Sequence, residues 1–90
     1  MIGSEKHLER VLVRRVQAAG GVAYKFVSPA RRGVPDRLIV LPGGRVFFAE
    51  LKAQGGKLTP LQQREIAQLR QRGVRVEVVC GLEAARTVAL

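Results

Sequence analysis

Apolar residues recur at helical spacing along the first stretch of the chain. Leu8, Leu12, Val16 and Ala19 fall on one stripe, which predicts a helix over residues 4–19. Ser4 stands where an N-cap accepts the first free backbone amides, and Gly20-Gly21 stops the run. The period then changes. Residues 22–28 (VAYKFVS) read as a strand, and residues 29–35 (PARRGVP) as a basic loop punctuated by Gly33 and two prolines. Residues 36–41 (DRLIVL) and 45–52 (RVFFAELK) read as two strands joined through Pro42-Gly43-Gly44, a hairpin signal. After a flexible stretch over 53–58, Thr59 opens a second helix with Pro60 at its first position. Gln62 completes a Thr-x-x-Gln capping box, Ile66 and Leu69 point inward, and Gly73 marks the end. Residues 74–80 (VRVEVVC) alternate as a strand, and residues 82–88 form a short last helix.

The predicted order is α-β-β-β-α-β with a small terminal helix. Leu38, Val40, Val46 and Phe48 make one face of the middle strands apolar, and Ile39, Leu41, Phe47 and Ala49 do the same for the other. Strands apolar on both faces predict a mixed sheet covered by helices on two sides, an α/β fold. Ninety residues have room for one core, so residues 1–90 read as a single domain, small enough for dimerisation to be a reasonable expectation. The chain has no internal repeat, no leader-like segment and no apolar run of spanning length. A lone cysteine, Cys80, excludes an internal disulfide and suits a reducing cytosol; its place after Val78-Val79 reads as a buried thiol at a strand end.

Charge narrows the class of partner. Sixteen Lys and Arg stand against seven Asp and Glu, giving a net charge of +9 and a pI near 11.4. Such a field attracts polyanions, of which nucleic acid is the commonest; a basic surface kept for solubility is the plainer alternative. The basic residues are spread over several elements rather than one amphipathic face, which disfavours a membrane surface. Aromatics are few (Tyr24, Phe26, Phe47, Phe48), so a base-stacking platform is poorly supported and a backbone binder is expected.

Chemistry concentrates in Pro35-Asp36 and, fourteen residues on, Glu50-Leu51-Lys52. Alternation along a strand puts Glu50 and Lys52 on one face and Leu51 on the other. If Pro42-Gly43-Gly44 is a three-residue loop, Leu41 faces Arg45, and counting back sets Asp36 opposite Glu50 with Cβ atoms about 5 Å apart. A two-residue loop would pair Asp36 with Leu51 instead. Two carboxylates so close repel unless a cation lies between them. Mg²⁺ fits, since it takes oxygen ligands and leaves positions open for water and phosphate, and the Leu51 carbonyl offers a further oxygen. Lys52 would then orient or deprotonate the attacking water, or offset charge on the phosphate. Against this stands a bland reading: a solvated strand face with a weak ion pair, and Asp36 as an ordinary turn residue after Pro35.

Pro35-Asp36 followed by Glu50-Leu51-Lys52 resembles the PD-(D/E)xK nuclease signature. With Gly20-Gly21, Tyr24-Lys25-Phe26, Ser28-Pro29, Arg32-Gly33-Val34, Phe48-Ala49 and Thr59-Pro60-Leu61-Gln62, the chain resembles the VRR-NUC family in its stand-alone phage and bacterial form, over about residues 5–80. The resemblance implies a restriction-endonuclease-like core and a Mg²⁺- or Mn²⁺-dependent phosphodiesterase. Its implied substrate is branched DNA such as four-way (Holliday) junctions, cut by homodimers in the cytoplasm of a bacterial or phage-infected cell. Asp36 and Glu50 match the metal-binding acids, Lys52 the catalytic lysine, Glu9 the acid of the first helix, and Gln62 the glutamine that opens the second. Ala30 departs from the glycine that relatives often carry after Ser-Pro, without touching a chemical group.

On the helical projection Glu9 falls inside the apolar arc between Val16 and Val13, which suits a carboxylate holding a metal-bound water. Glu5 projects into the same arc one turn earlier; the family spacing to Gly20-Gly21 is what selects Glu9. Gln62 is explained equally by its cap and by a reach into the site. Arg31, Arg32, Arg37, Lys57 and Arg64 flank the site as DNA-phosphate contacts, and Lys25 serves either that role or plain surface. Arg10, Arg14 and Arg15 lie away from Glu9 on the first helix. His7 reads as exposed, and no His/Cys cluster suggests zinc. Rival functions are a non-catalytic basic module that binds nucleic acid, a nuclease of the same fold acting on flap or linear duplex DNA, and a toxin-like RNase.

Overall fold

The computed structural model describes residues 5–90. Its elements are α1 (Glu5–Ala18), β1 (Val22–Lys25), β2 (Arg37–Leu41), β3 (Arg45–Lys52), α2 (Pro60–Gln71), β4 (Val76–Cys80) and α3 (Leu82–Thr87). The expected Ser4 cap lies outside the described residues. The four strands form one sheet in the order β1-β2-β3-β4. β1, β2 and β3 run antiparallel, and β4 joins β3 in parallel through the α2 crossover. The mixed α/β sheet follows the sequence pattern closely.

Why the elements stop where they do is local chemistry. β1 ends at Lys25, short of the expected residue 28, because the prolines on either side of the 29–35 loop cannot supply ladder amides. One contact survives past the ladder, from the Phe26 amide to the Asp36 carbonyl at 2.7 Å. At the head of α2 the Thr59 side chain accepts from the Gln62 amide and the Gln62 side chain accepts from the Thr59 amide, so the capping box is complete. At its tail Gly73 takes φ +82°. Its amide donates to the Arg70 carbonyl, and the Val74 amide to Leu69, the double closure of a Schellman end.

The core lies on one side of the sheet. Leu8, Leu12 and Val16 of α1 pack with Ala85 of α3 on Ile39, Leu41, Phe47, Ala49, Leu51 and Val79. Gly21 lets α1 approach: a Cβ there would stand 2.6 Å from the Val40 carbonyl oxygen. α2 covers the opposite face, inserting Ile66, but only over part of it. Helices thus flank both faces, as the apolar pattern predicts, while Val22, Tyr24 and Val46 of the α2 face remain about half exposed. A single crossover helix is too narrow to roof four strands.

Cys80 is also corrected: it is exposed rather than buried. β4 is an edge strand, and the thiol closes its end, donating toward the Ala53 and Gly56 carbonyls. Among the described residues, no helix is long and apolar enough to cross a membrane.

Core and cap contributions differ in size. Leu12→Ala, which opens a void under a fully buried side chain, is expected to lower the unfolding free energy by about 3 kcal/mol, against about 1 kcal/mol for Thr59→Ala. Urea unfolding of the two variants beside the parent checks the ranking.

Candidate active site

A turn sets the register on which the site depends. Pro42–Gly44 form a single 3-10 turn in which Gly43 adopts φ +82° and Gly44 φ +76°. That three-residue connection pairs Leu41 with Arg45 and runs the ladder to Arg37 with Ala49. One step further, Asp36 meets Glu50. Glu50 therefore emerges on the face that carries Leu38 and Phe48, toward α2, and Lys52 follows on the same face beside Cys80 of β4.

The two acids sit in unlike surroundings. Asp36 is exposed, whereas Glu50 is 1% exposed. Gln62 Nε2 donates to Glu50 Oε2 at 3.3 Å. Glu50 Oε1 is buried with no hydrogen-bond partner among the described residues. The Glu50 carboxyl is accordingly pushed up from 4.5 to about 7. Burial is the largest cause; the charge of Asp36 comes next, then a hydrogen bond shared with it. The Lys52 ammonium pulls the other way, and the Glu5 carboxylate adds a further push upward.

α2 grips both halves of the site. Gln62 holds Glu50, while one turn on Glu65 pairs with Arg31 of the 29–35 loop, whose guanidinium also donates to Gln68 Oε1 at 3.1 Å. Gly33 presses on the start of the helix: a Cβ would lie 2.7 Å from Leu61 backbone atoms, and φ is +83°. The loop that ends in Pro35-Asp36 is thus strapped to the helix that holds Glu50. Glu65 was not visible as a site element from sequence. Its signal was a carboxylate next to Ile66, one turn from Gln62, on the inward side of the helix.

The remaining candidates divide. Glu9 pairs with Arg37, which also donates to the Ala23 carbonyl. Arg37 alternates with Asp36 and so belongs to the face covered by α1, away from Glu50. The helical acid whose charge reaches Glu50 is Glu5. Lys25, Arg32, Lys57 and Arg64 are exposed, and His7 is half-buried. Arg15 is tied to the Ala85 carbonyl.

No cluster of three or more His, Cys, Asp or Glu side chains stands together among the described residues. The groups that the sequence offers to a cation, the Asp36 and Glu50 carboxylates and the Leu51 carbonyl, are all oxygen, and Glu50 Oε1 is unpartnered among the described residues. That set suits a hard divalent ion such as Mg²⁺ or Mn²⁺ and is wrong for zinc.

Without metal, the raised Glu50 carboxyl has a stability consequence. The folded state keeps a proton that the unfolded chain releases near 4.5, so the stabilisation is full below that pH and is lost as pH rises through about 7. Glu50→Gln is expected to flatten this decline and to exceed the parent's stability at about pH 8 by on the order of 3 kcal/mol. Urea unfolding of metal-free protein near pH 5 and pH 8 tests it.

Comparison with known proteins gives the family. The family model described as VRR-NUC domain matches residues 4–82. The chain is 55% identical over 75 residues to p44, a protein named as a candidate nuclease, of Acyrthosiphon pisum secondary endosymbiont phage 1, covering 83% of this chain and 81% of that one. A solved structure described as a VRR_NUC domain superposes with a TM-score of 0.86 at 34% identity, over 90% of this chain and 88% of the other. The chain belongs to the VRR-NUC family and is a nuclease-type domain.

Proposed function

We propose that this protein is a Mg²⁺- or Mn²⁺-dependent endonuclease that hydrolyses phosphodiester bonds in DNA, with branched DNA as its preferred substrate. The observation that carries the reading is the Asp36–Glu50 pair: two carboxyl groups brought together, one of them buried with an oxygen that no described residue satisfies. Such a pair is unstable unless a proton or a cation joins it. Asp36, Glu50 and the Leu51 carbonyl would hold the ion, which when bound supplies Lewis acidity toward a phosphodiester oxygen and toward water.

The chain's own groups do the rest. Gln62 fixes Glu50 Oε2 and so aims the carboxylate. Lys52, on the same strand face, holds its ammonium where it orients a water and offsets the negative charge that builds on the phosphate. Glu5 takes the supporting role that family spacing gave Glu9, because the Glu9 carboxylate is committed to Arg37. Arg32, Lys57, Arg64 and Lys25 are exposed cations free of the acids that hold Arg31 and Arg37, and are assigned to DNA phosphates.

A homodimer is supported by Val22, Tyr24 and Val46, exposed apolar residues of one sheet face. Pairing this face about a two-fold axis presents two sites, as a four-way junction requires. The phage relative supports action in the cytoplasm of an infected cell.

Cleavage of labelled four-way junction, flap and linear duplex DNA with Mg²⁺ or Mn²⁺ tests the reading. Asp36→Ala and Lys52→Ala are each expected to lower the rate by at least about a hundredfold while salt-sensitive binding persists. Binding without turnover under either metal would favour the non-catalytic module. Light scattering should report a dimer for the parent and a monomer for Tyr24→Asp.

A further inference from the structure

A cavity of about 390 Å³ opens between α2, residues 26–35 and the sheet face that carries Glu50. The proposed reaction leaves it unused. Phe26 and Phe48 form its aromatic wall, edge to face with ring centroids 5.2 Å apart at 76°. Val34, Pro35 and Leu69 add apolar surface, and the rim is polar, with the Ser28 hydroxyl, the Gln68 amide and the Arg72 guanidinium. Arg31 completes that rim, already held in place by Glu65 and Gln68. The few aromatics of the sequence are thus not scattered: two of them meet in one concavity.

Its position matters as much as its lining. Phe48 precedes Glu50 by two residues on the same strand face, about 7 Å along β3. Pro35, fully buried, is bonded to Asp36. Anything seated in the cavity lies beside the paired acids.

We propose that this cavity receives one unstacked nucleobase of the DNA strand that crosses Asp36 and Glu50. The inference rests on the nuclease reading for the path of that strand. A flat ring with a polar edge matches aromatic and aliphatic walls under a rim of hydroxyl, amide and guanidinium groups, and the volume falls in the range of small-ligand sites. Arg72 at the mouth complements a phosphate beside the base, while Arg31, paired with Glu65, holds the rim in place. Taking a base out of the stack is costly in intact duplex and least so where pairing is already broken. The cavity therefore gives a physical source for a preference for branched DNA: only a base near a branch point enters readily.

The test places 2-aminopurine, whose fluorescence rises on unstacking, at successive positions around the branch point of a four-way junction. Protein is bound in EDTA so that no strand is cut, and the same DNAs are cleaved separately with Mg²⁺ or Mn²⁺. The proposal predicts a several-fold fluorescence rise at a position next to the cleaved bond. That rise should be lost in Ser28→Leu, which fills the cavity, and in Phe26→Ala, which strips its wall. Both variants should keep the parent's salt-sensitive affinity for linear duplex while their preference for the junction falls about tenfold. Thermal unfolding identifies any variant that has lost its fold, in which case the other decides. No rise at any position, or a rise that survives both substitutions, overturns the proposal and leaves the cavity to a protein side chain. Unstacking without cutting would instead overturn the nuclease reading and leave the base site standing.

Discussion

Two carboxyl groups held too close for both to carry charge unaided organise this molecule. The three-residue turn at Pro42–Gly44 fixes the β2–β3 register, and that register sets Asp36 opposite Glu50. Burial of Glu50 then removes the water that would otherwise soften the conflict. A chain selected for stability alone would not leave Glu50 Oε1 unsatisfied. The cost makes sense if the native environment of the pair includes a cation.

Much of the fold exists to hold that conflict still. α1 and α3 seal one side of the sheet with a close-packed apolar layer, so β2 and β3 cannot slip relative to each other. α2 works on the other side, with Gln62 on Glu50 and Glu65 on Arg31. Because Arg31 lies in the loop that delivers Asp36, a single helix ties the two acids into one rigid unit. Gly33 permits the close contact between loop and helix that this requires.

The fold was largely legible in the sequence because its signals are local. The apolar stripe of α1, the Thr59–Gln62 box and the Gly73 stop each act within a few residues. The Asp36–Glu50 pairing was also within reach, since a turn length and strand alternation suffice to count it. What escaped depended on neighbours distant in the chain. Glu9 pairs with Arg37 across 28 residues, a contact no helical projection shows. Glu65 reads as an ordinary helix-surface acid until Arg31 is brought to it across 34 residues. Cys80 looked buried because β4 alternates well, but an edge strand leaves its end open.

The exposed half of the sheet and the Phe26–Phe48 cavity lie on the same face as the acids. One face thus carries charge chemistry, aromatic surface and unpaired apolar residues, while the other is given to stability. That separation lets a domain this small keep a core and a working surface apart.

If the proposed metal binds here, the Asp36–Glu50 pair exchanges a proton for a divalent cation. Calorimetric titration with Mn²⁺ at about pH 6, in two buffers of different ionisation enthalpy, measures it directly. Release of about one proton per ion bound is expected, shrinking toward zero by about pH 8 and abolished in Glu50→Gln. Mn²⁺ binding with no proton release at pH 6, or with the same release in Glu50→Gln, would contradict it.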